Sequence, residues 1–243
     1  MNTSLYEYLA GNGYPGRGIC IGKTPDGKKS MIAYFIMGRS ANSRNRVFDC
    51  IEGGIRTKAA DPSKMTDAHL IIYNPVLTFS ETTIVTNGDQ TNTIYDFLAA
   101  NRNPGCSFEA ALATRTFEDD RPNWTPRISG VVDMRSGGYK ISILKSCGGN
   151  ENSVVRFTFD YPEPLAGEGH FISTYKCNGN PIPSFEGEPL RVAVDEANPN
   201  EWAGRLWDAL NEDNKVSLFV RAVDLSTGSC EDVIINKYKA VEG

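Results

Sequence analysis

The sequence predicts an α+β protein with two mostly antiparallel sheets and separate helical layers. Three observations carry this. Most apolar runs are short, rich in β-branched and aromatic residues, and separated by Gly, Pro or Asn, as hairpin-connected strands require. Helical periodicity is confined to mid-chain and to a segment near residue 200, so strands and helices do not alternate as in repeating βαβ units. No internal repeat or long linker interrupts the 243 residues, which are read as one domain, 1–243.

In order, residues 1–15 form a polar, glycine-rich lead-in that opens with a short helix. Ile19–Gly22 and Ser30–Met37 are strands joined by the turn Thr24-Pro25-Asp26-Gly27. The second strand runs into a turn, residues 38–46, that carries Arg39, Arg44 and Arg46. Ala68–Val76 is read as a strand paired with Thr82–Thr86. Ile94, Phe97 and Leu98 mark a helix that stops at Asn103-Pro104-Gly105, and Ser107 starts another that buries Phe108, Ala111 and Leu112. Arg127–Asp133, Tyr139–Lys145, Val154–Tyr161 and His170–Tyr175 are expected to form an antiparallel meander. Residues 177–189, with three prolines and two glycines, read as a surface loop. Asn198 caps a helix with Pro199 at its first position, and Trp202, Leu206, Ala209 and Leu210 share its packing face. Strands Val216–Val223 and Val233–Tyr238 close the chain, giving about ten strands and three or four helices.

Composition, 40% hydrophobic and 23% charged, is that of an ordinary globular protein. No apolar run approaches the roughly 20 residues needed to span a bilayer, and the N-terminus has no signal-peptide pattern. Six widely spaced cysteines without a C-x-x-C pair read as reduced thiols of a cytoplasmic protein. Cys20 and Cys106, without a nearby histidine in sequence, read as structural rather than nucleophilic. His69 and His170 are the only histidines, which argues against a zinc site.

Charge is the most uneven feature. Between Arg17 and Arg46 the chain carries seven Lys or Arg and one acid, Asp26, so this window is +6 in a chain of net charge −5. A nucleic-acid binder spreads its basic residues more widely. One small anionic ligand fits better, since arginine is suited to bidentate phosphate binding. A decorated surface hairpin is the competing reading of the charge alone.

Gly16-Arg17-Gly18, Gly22-Lys23-Thr24, Arg39-Ser40 with Asn45-Arg46, Tyr73-Asn74, Val85-Thr86-Asn87-Gly88, Thr125-Pro126-Arg127-Ile128 and Ser173-Thr174-Tyr175 follow one another in that order. Together they resemble the archaeal-type inosine monophosphate (IMP) cyclohydrolase family from about residue 16 to about residue 223. The chain departs from that pattern in its lead-in, its 177–189 loop, its C-terminal tail, and two extra residues between Arg39-Ser40 and Asn45-Arg46. The last difference leaves Arg44 and Arg46 both open for one role.

The resemblance implies a four-layer αββα sandwich similar to the N-terminal nucleophile hydrolases, without an exposed N-terminal Ser, Thr or Cys. It implies ring closure of 5-formamidoimidazole-4-carboxamide ribonucleotide (FAICAR) to IMP and water, with no metal or other cofactor, in a cytoplasmic homo-oligomer with no nucleic-acid or membrane partner. Arg17, Arg39 and Arg46 would hold the phosphate, with Ser40 adding a hydroxyl and Asn45, Asn74, Gly88 and Thr125 completing the binding site. Tyr73, Asn87 and Arg127 would donate hydrogen bonds around the reacting groups. Glu118 is the first choice for acid/base work and Tyr73 the second, although Asp119 and Asp120 adjoin Glu118 and the sequence alone does not say which points inward. A non-catalytic purine-nucleotide binding module and another amide hydrolase on the same scaffold are the alternatives.

Overall fold

A computed structural model describes residues 3–66, 68–101 and 107–241. The early strands are β1 (Arg17–Lys23), β2 (Lys29–Met37), β3 (Arg46–Ile51), β4 (Gly54–Ala59), β5 (Val76–Phe79) and β6 (Thr82–Thr86). They are followed by β7 (Arg127–Asp133), β8 (Tyr139–Cys147), β9 (Asn150–Tyr161), β10 (Glu168–Ser173), β11 (Leu190–Ala193), β12 (Lys215–Asp224) and β13 (Cys230–Asn236). The helices are α1 (Leu5–Gly11), α2 (Ala41–Arg44), α3 (Ala68–Ile71), α4 (Gln90–Ala100), α5 (Phe108–Leu112) and α6 (Pro199–Ala209).

The strands form two sheets, ordered β11-β10-β1-β2-β12-β13 and β3-β4-β5-β6-β7-β8-β9. Every paired ladder is antiparallel. The α+β class read from the sequence is borne out.

Strand alternation explains how the sheets are covered. In β1, Ile19 and Ile21 face the second sheet and meet Val85, Ile128, Val132 and Ile141. Cys20 points the other way, into a core shared with Leu5 and Leu9 of α1 and Trp202 and Leu206 of α6. A third core joins Ile84 and Leu144 of the second sheet to Ile94 of α4 and to Phe108 and Leu112 of α5. Central strands such as β2 are therefore covered on both faces, and Ser30 through Met37 are all buried. Each fully buried aliphatic side chain there contributes about 1.5–3 kcal/mol.

The helix starts follow the sequence signals. Ser107 Oγ accepts the Ala110 amide at 3.1 Å, and Asn198 Oδ1 accepts the Asn200 amide at 2.9 Å with Pro199 in the first turn. Asn103–Gly105 and Cys106 lie outside the described residues.

Other expectations are corrected. Residues 68–76 are not one strand: Ala68–Ile71 is a single helical turn, and pairing starts only at Val76. A short apolar run does not by itself separate the two states. Here the Thr57 hydroxyl, 2.6 Å from the Ile71 carbonyl and 2.8 Å from the Tyr73 amide, binds the segment side-on.

The hairpin β3–β4 was not anticipated, because its charged residues mask alternation at one end of the sheet. Residues 170–175 do not continue the meander. Their strand, β10, crosses to the first sheet and pairs with β1. The chain thus has thirteen strands among the described residues rather than ten. The 177–189 segment is a surface loop, pinned inward by the buried Ile182 and Phe185.

Candidate active site

Arg17 is the first residue of β1 and is buried, at 8% exposure. Its Nη2 donates to both carboxylate oxygens of Glu118, each at 2.7 Å. Glu118 precedes β7 in a loop clipped by two bonds: its amide donates to the Thr125 carbonyl at 2.8 Å, and the Thr125 amide donates to Asp120 Oδ1 at 2.6 Å. This clip turns Glu118 inward, while Asp119 is exposed and Asp120 half-buried. Burial raises the Glu118 carboxyl above the ordinary glutamate range, and Arg17 and Arg127 draw it back. For Arg17, burial opposes the charge, but Glu118 and the surrounding tyrosines outweigh it and push the guanidinium well up.

Arg46 opens β3 and is 2% exposed. Its Nε donates to the Ser43 carbonyl at 2.9 Å, and among the described residues no carboxylate lies within ion-pairing distance. Burial, with Arg17 adding repulsion, lowers its guanidinium below the ordinary arginine value, against the pull of Tyr73, Tyr34 and Tyr14. Arg17 Nε is also buried without a hydrogen-bond partner. Of the two buried guanidiniums only Arg17 has a carboxylate partner, and an anion would relieve both the excess charge and the orphaned donor.

Tyrosines wall this charge. The hydroxyls of Tyr34 and Tyr73 lie 2.7 Å apart in the interior, and Tyr14 stacks on Tyr175 at 5.8 Å. Tyr73 reaches inward from the loop between α3 and β5.

On the other side of Glu118, the turn between β6 and α4 supplies Asn87 and Gly88. Asn87 Nδ2 donates to the Pro126 carbonyl at 2.9 Å and to Glu118 Oε1 at 3.4 Å, while its Oδ1 accepts from the Ile128 amide and Gln90. Arg127 Nη1 donates to Gln90 Oε1 at 2.8 Å and lies 2.6 Å from Asp89 Oδ1. Gly88 leaves room for this, because a Cβ there would stand 2.6 Å from Arg127 Nη1.

The family model described as "IMP cyclohydrolase-like protein" matches residues 14–228. The chain belongs to this family. Its similarity extends to archaeal proteins named IMP cyclohydrolase. That of Methanopyrus kandleri is 31% identical over 162 residues, covering 67% of this chain and 75% of the relative. That of Methanococcus aeolicus is 26% identical over 190 residues, covering 77% and 84%. That of Methanocaldococcus jannaschii is 25% identical over 191 residues, covering 70% and 90%.

Within this IMP cyclohydrolase-like chain, Arg17, Arg46, Tyr73, Asn87, Gly88, Glu118, Thr125 and Arg127 gather around the buried ion pair. The remaining candidates lie differently. Arg39 is exposed, its Nη1 donating to Asn178 Oδ1 at 2.6 Å and to the Gly179 carbonyl at 2.9 Å, with its guanidinium 5.0 Å from the Tyr14 ring centre. Ser40 is exposed and caps α2, accepting from the Ser43 amide. Asn45 spends both ends of its amide on the backbone of Asp61, at 2.7 and 2.8 Å. Asn74 donates to Asn92 at 3.2 Å. Arg44 bonds the Gly38 carbonyl and Asn214, so of the two alternatives in this turn it is Arg46 that points into the interior.

Three residues of the constellation were not read from the sequence as site residues: Tyr14, Gln90 and Tyr175. The Asn-Gly-Asp-Gln run before a helix signalled only a turn. Tyr14 sits in a stretch with no regular pattern. Among the described residues no group of three or more His, Cys, Asp or Glu could hold a metal ion, and no helix is long and apolar enough to cross a membrane.

Proposed function

We propose that this protein is an IMP cyclohydrolase, closing the purine ring of FAICAR to give IMP and water. One observation within the family carries the reading: beside the buried Arg17–Glu118 ion pair lies a second buried guanidinium, Arg46, which Arg17 repels and which has no carboxylate within ion-pairing distance among the described residues.

In the reaction the carboxamide nitrogen attacks the formyl carbon, an N–C bond forms, and the formyl oxygen leaves as water. The amide nitrogen is a weak nucleophile, so orientation matters most, and well-placed intramolecular groups gain on the order of 7–11 kcal/mol. Arg46 and Arg17 grip the 5′-phosphate, with Arg39 and Ser40 at the rim beside Tyr14. This anchors one end of the ribotide and presses its formyl and carboxamide arms together. Arg127 and Tyr73 donate to charge developing on the formyl oxygen, each such donor contributing roughly 3–4 kcal/mol.

Glu118, its carboxyl raised by burial, supplies the proton with which the oxygen departs. Asn87 has both ends of its amide engaged by protein and holds Glu118 in place, and Gly88 makes room for Arg127. Helices outside both sheets support the four-layer αββα arrangement of the N-terminal nucleophile hydrolases as the scaffold. The cytoplasmic location and homo-oligomeric state belong to the same proposal, and light scattering on the purified protein tests the second.

The decisive assay is incubation with FAICAR followed by chromatography. Stoichiometric IMP supports the reading. Tight IMP binding without turnover indicates a nucleotide-binding module instead, and amide cleavage without ring closure indicates a different hydrolase.

A further inference from the structure

Tyr175, Thr125 and Asp120 form a hydroxyl chain that leads from the buried ion pair to a half-exposed carboxylate. Tyr175 is 2% exposed, and its phenol interacts electrostatically with both Arg17 and Glu118. Its hydroxyl lies 2.5 Å from Thr125 Oγ1, and Thr125 Oγ1 in turn bonds Asp120 Oδ2. The second oxygen of Asp120 accepts the Thr125 backbone amide at 2.6 Å, so the carboxylate is fixed edge-on to the threonine.

Donor counting sets the direction of this chain. A threonine hydroxyl has one proton, and a carboxylate only accepts. Thr125 therefore donates to Asp120, which leaves its oxygen to accept from Tyr175. The phenolic proton is thus spent on Thr125, and the free lone pair of Tyr175 is an acceptor toward the site. Packing holds the ring in that pose. Tyr14 stacks on it, and Gly16 passes so close that a Cβ would lie 2.4 Å from the Tyr175 ring.

We propose that Tyr175 accepts the proton released by the attacking carboxamide, while Thr125 and Asp120, acting through it, carry the displaced protons outward. This rests on the IMP cyclohydrolase reading of the same site. As the N–C bond forms, the amide N–H proton moves to the Tyr175 oxygen. The Tyr175 proton moves to Thr125, and the Thr125 proton to Asp120. Glu118 gives its proton to the formyl oxygen, leaving a hydroxyl on the new ring carbon. Glu118 then takes the proton of the former formamide nitrogen and passes it to that hydroxyl, so that a C=N bond forms as the C–O bond breaks and the oxygen leaves as water. Asp120 then releases its proton to solvent, Glu118 regains one, and both hydroxyls return to their starting orientation.

Burial raises the Tyr175 hydroxyl far above neutrality, against the pull of Arg17, so a free tyrosinate is not the base and the transfers are coupled. Tyr175 is the catalytic residue in this scheme, and Thr125 and Asp120 are positioning residues.

The test compares wild type, Thr125→Val, Thr125→Ser and Asp120→Asn for FAICAR turnover and IMP affinity, with turnover also measured across H₂O/D₂O mixtures. Thr125→Val is expected to slow turnover at least about tenfold while IMP affinity changes less than about twofold. Thr125→Ser should restore the rate, and the curved dependence on D₂O fraction in wild type should become linear in Thr125→Val. Asp120→Asn, which keeps the shape of the carboxylate, should slow turnover to a similar extent. Wild-type turnover with an unaffected Thr125→Val overturns the relay alone. Equal losses of turnover and affinity that Thr125→Ser does not rescue also overturn it. Wild type that forms no IMP overturns the function, and the relay with it.

Discussion

Arg17 Nη2 stands 2.7 Å from both Oε1 and Oε2 of Glu118, joining the start of the first central strand to the loop before β7. The two residues are 101 positions apart in sequence, and both side chains are at most 10% exposed. Arg46 shares the same interior and is repelled by Arg17, with no carboxylate within ion-pairing distance among the described residues.

Removing the Glu118 charge is costly in two ways. Glu118→Gln leaves the buried Arg17 guanidinium uncompensated, and loss of one partner of a buried pair costs about 3–5 kcal/mol. Turnover should fall about 10²- to 10⁴-fold with the loss of the proton carrier. IMP should raise the melting temperature of the variant by more than that of wild type, because its phosphate replaces the missing charge. Thermal melts with and without IMP, alongside the turnover assay, check all three outcomes.

Arg46→Ala should weaken IMP binding about 10- to 100-fold, the range for losing one or more hydrogen bonds to a charged group. Arg39→Ala, at the rim, should weaken it less than Arg46→Ala. Calorimetric titration of both variants with IMP checks the order, and an equal or larger loss in Arg39→Ala would move the phosphate site outward.

Gly88→Ala should damage catalysis more than folding. The added methyl would stand 2.6 Å from Arg127 Nη1 and 2.7 Å from Gln90 Oε1, both movable ends of side chains. Arg127 would shift from its place, turnover should drop at least about tenfold, and the melting temperature should change little. Turnover and thermal melts on the same sample check this.

His170 makes stability fall in mild acid. Burial lowers its imidazole below the ordinary value, with Glu168 opposing and Arg191 reinforcing the shift. Its ring stacks 3.8 Å from Tyr161, and its Nδ1 bonds Tyr139 at 2.7 Å. Between the folded value and about 6.5 the unfolded chain binds more protons. Stability therefore rises with pH through that window and is lost as pH falls. His170→Gln should flatten the pH dependence of the melting temperature between about pH 5 and 7.

Much of this fold was legible because its signals are local. Pro199 after Asn198, Ser107 before Phe108, and the turn between β1 and β2 each carry their conformation in two or three residues. The failures were tertiary. Whether Leu70-Ile71-Ile72 coils or extends depends on Thr57, more than ten residues away, which binds the backbone of Ile71 and Tyr73. The departure of β10 from the meander is a choice between two sheets that no local pattern encodes.

In the site, motif order brought out Arg17, Arg46, Tyr73, Asn87 and Arg127. The sequence could not choose among Glu118, Asp119 and Asp120, since the clip between Thr125 and Asp120 decides it. Nor could it choose between Arg44 and Arg46, which the single turn of α2 sends in different directions.

The central claim is that the buried guanidiniums of Arg17 and Arg46 hold the nucleotide's phosphate and so aim its reacting arms past Glu118. A crystal structure of the protein with IMP measures this directly. The expected result is phosphate oxygens within about 3 Å of both guanidiniums, with the purine extending toward Glu118 and Arg127. IMP seated elsewhere, with Arg17 and Arg46 untouched, would contradict it.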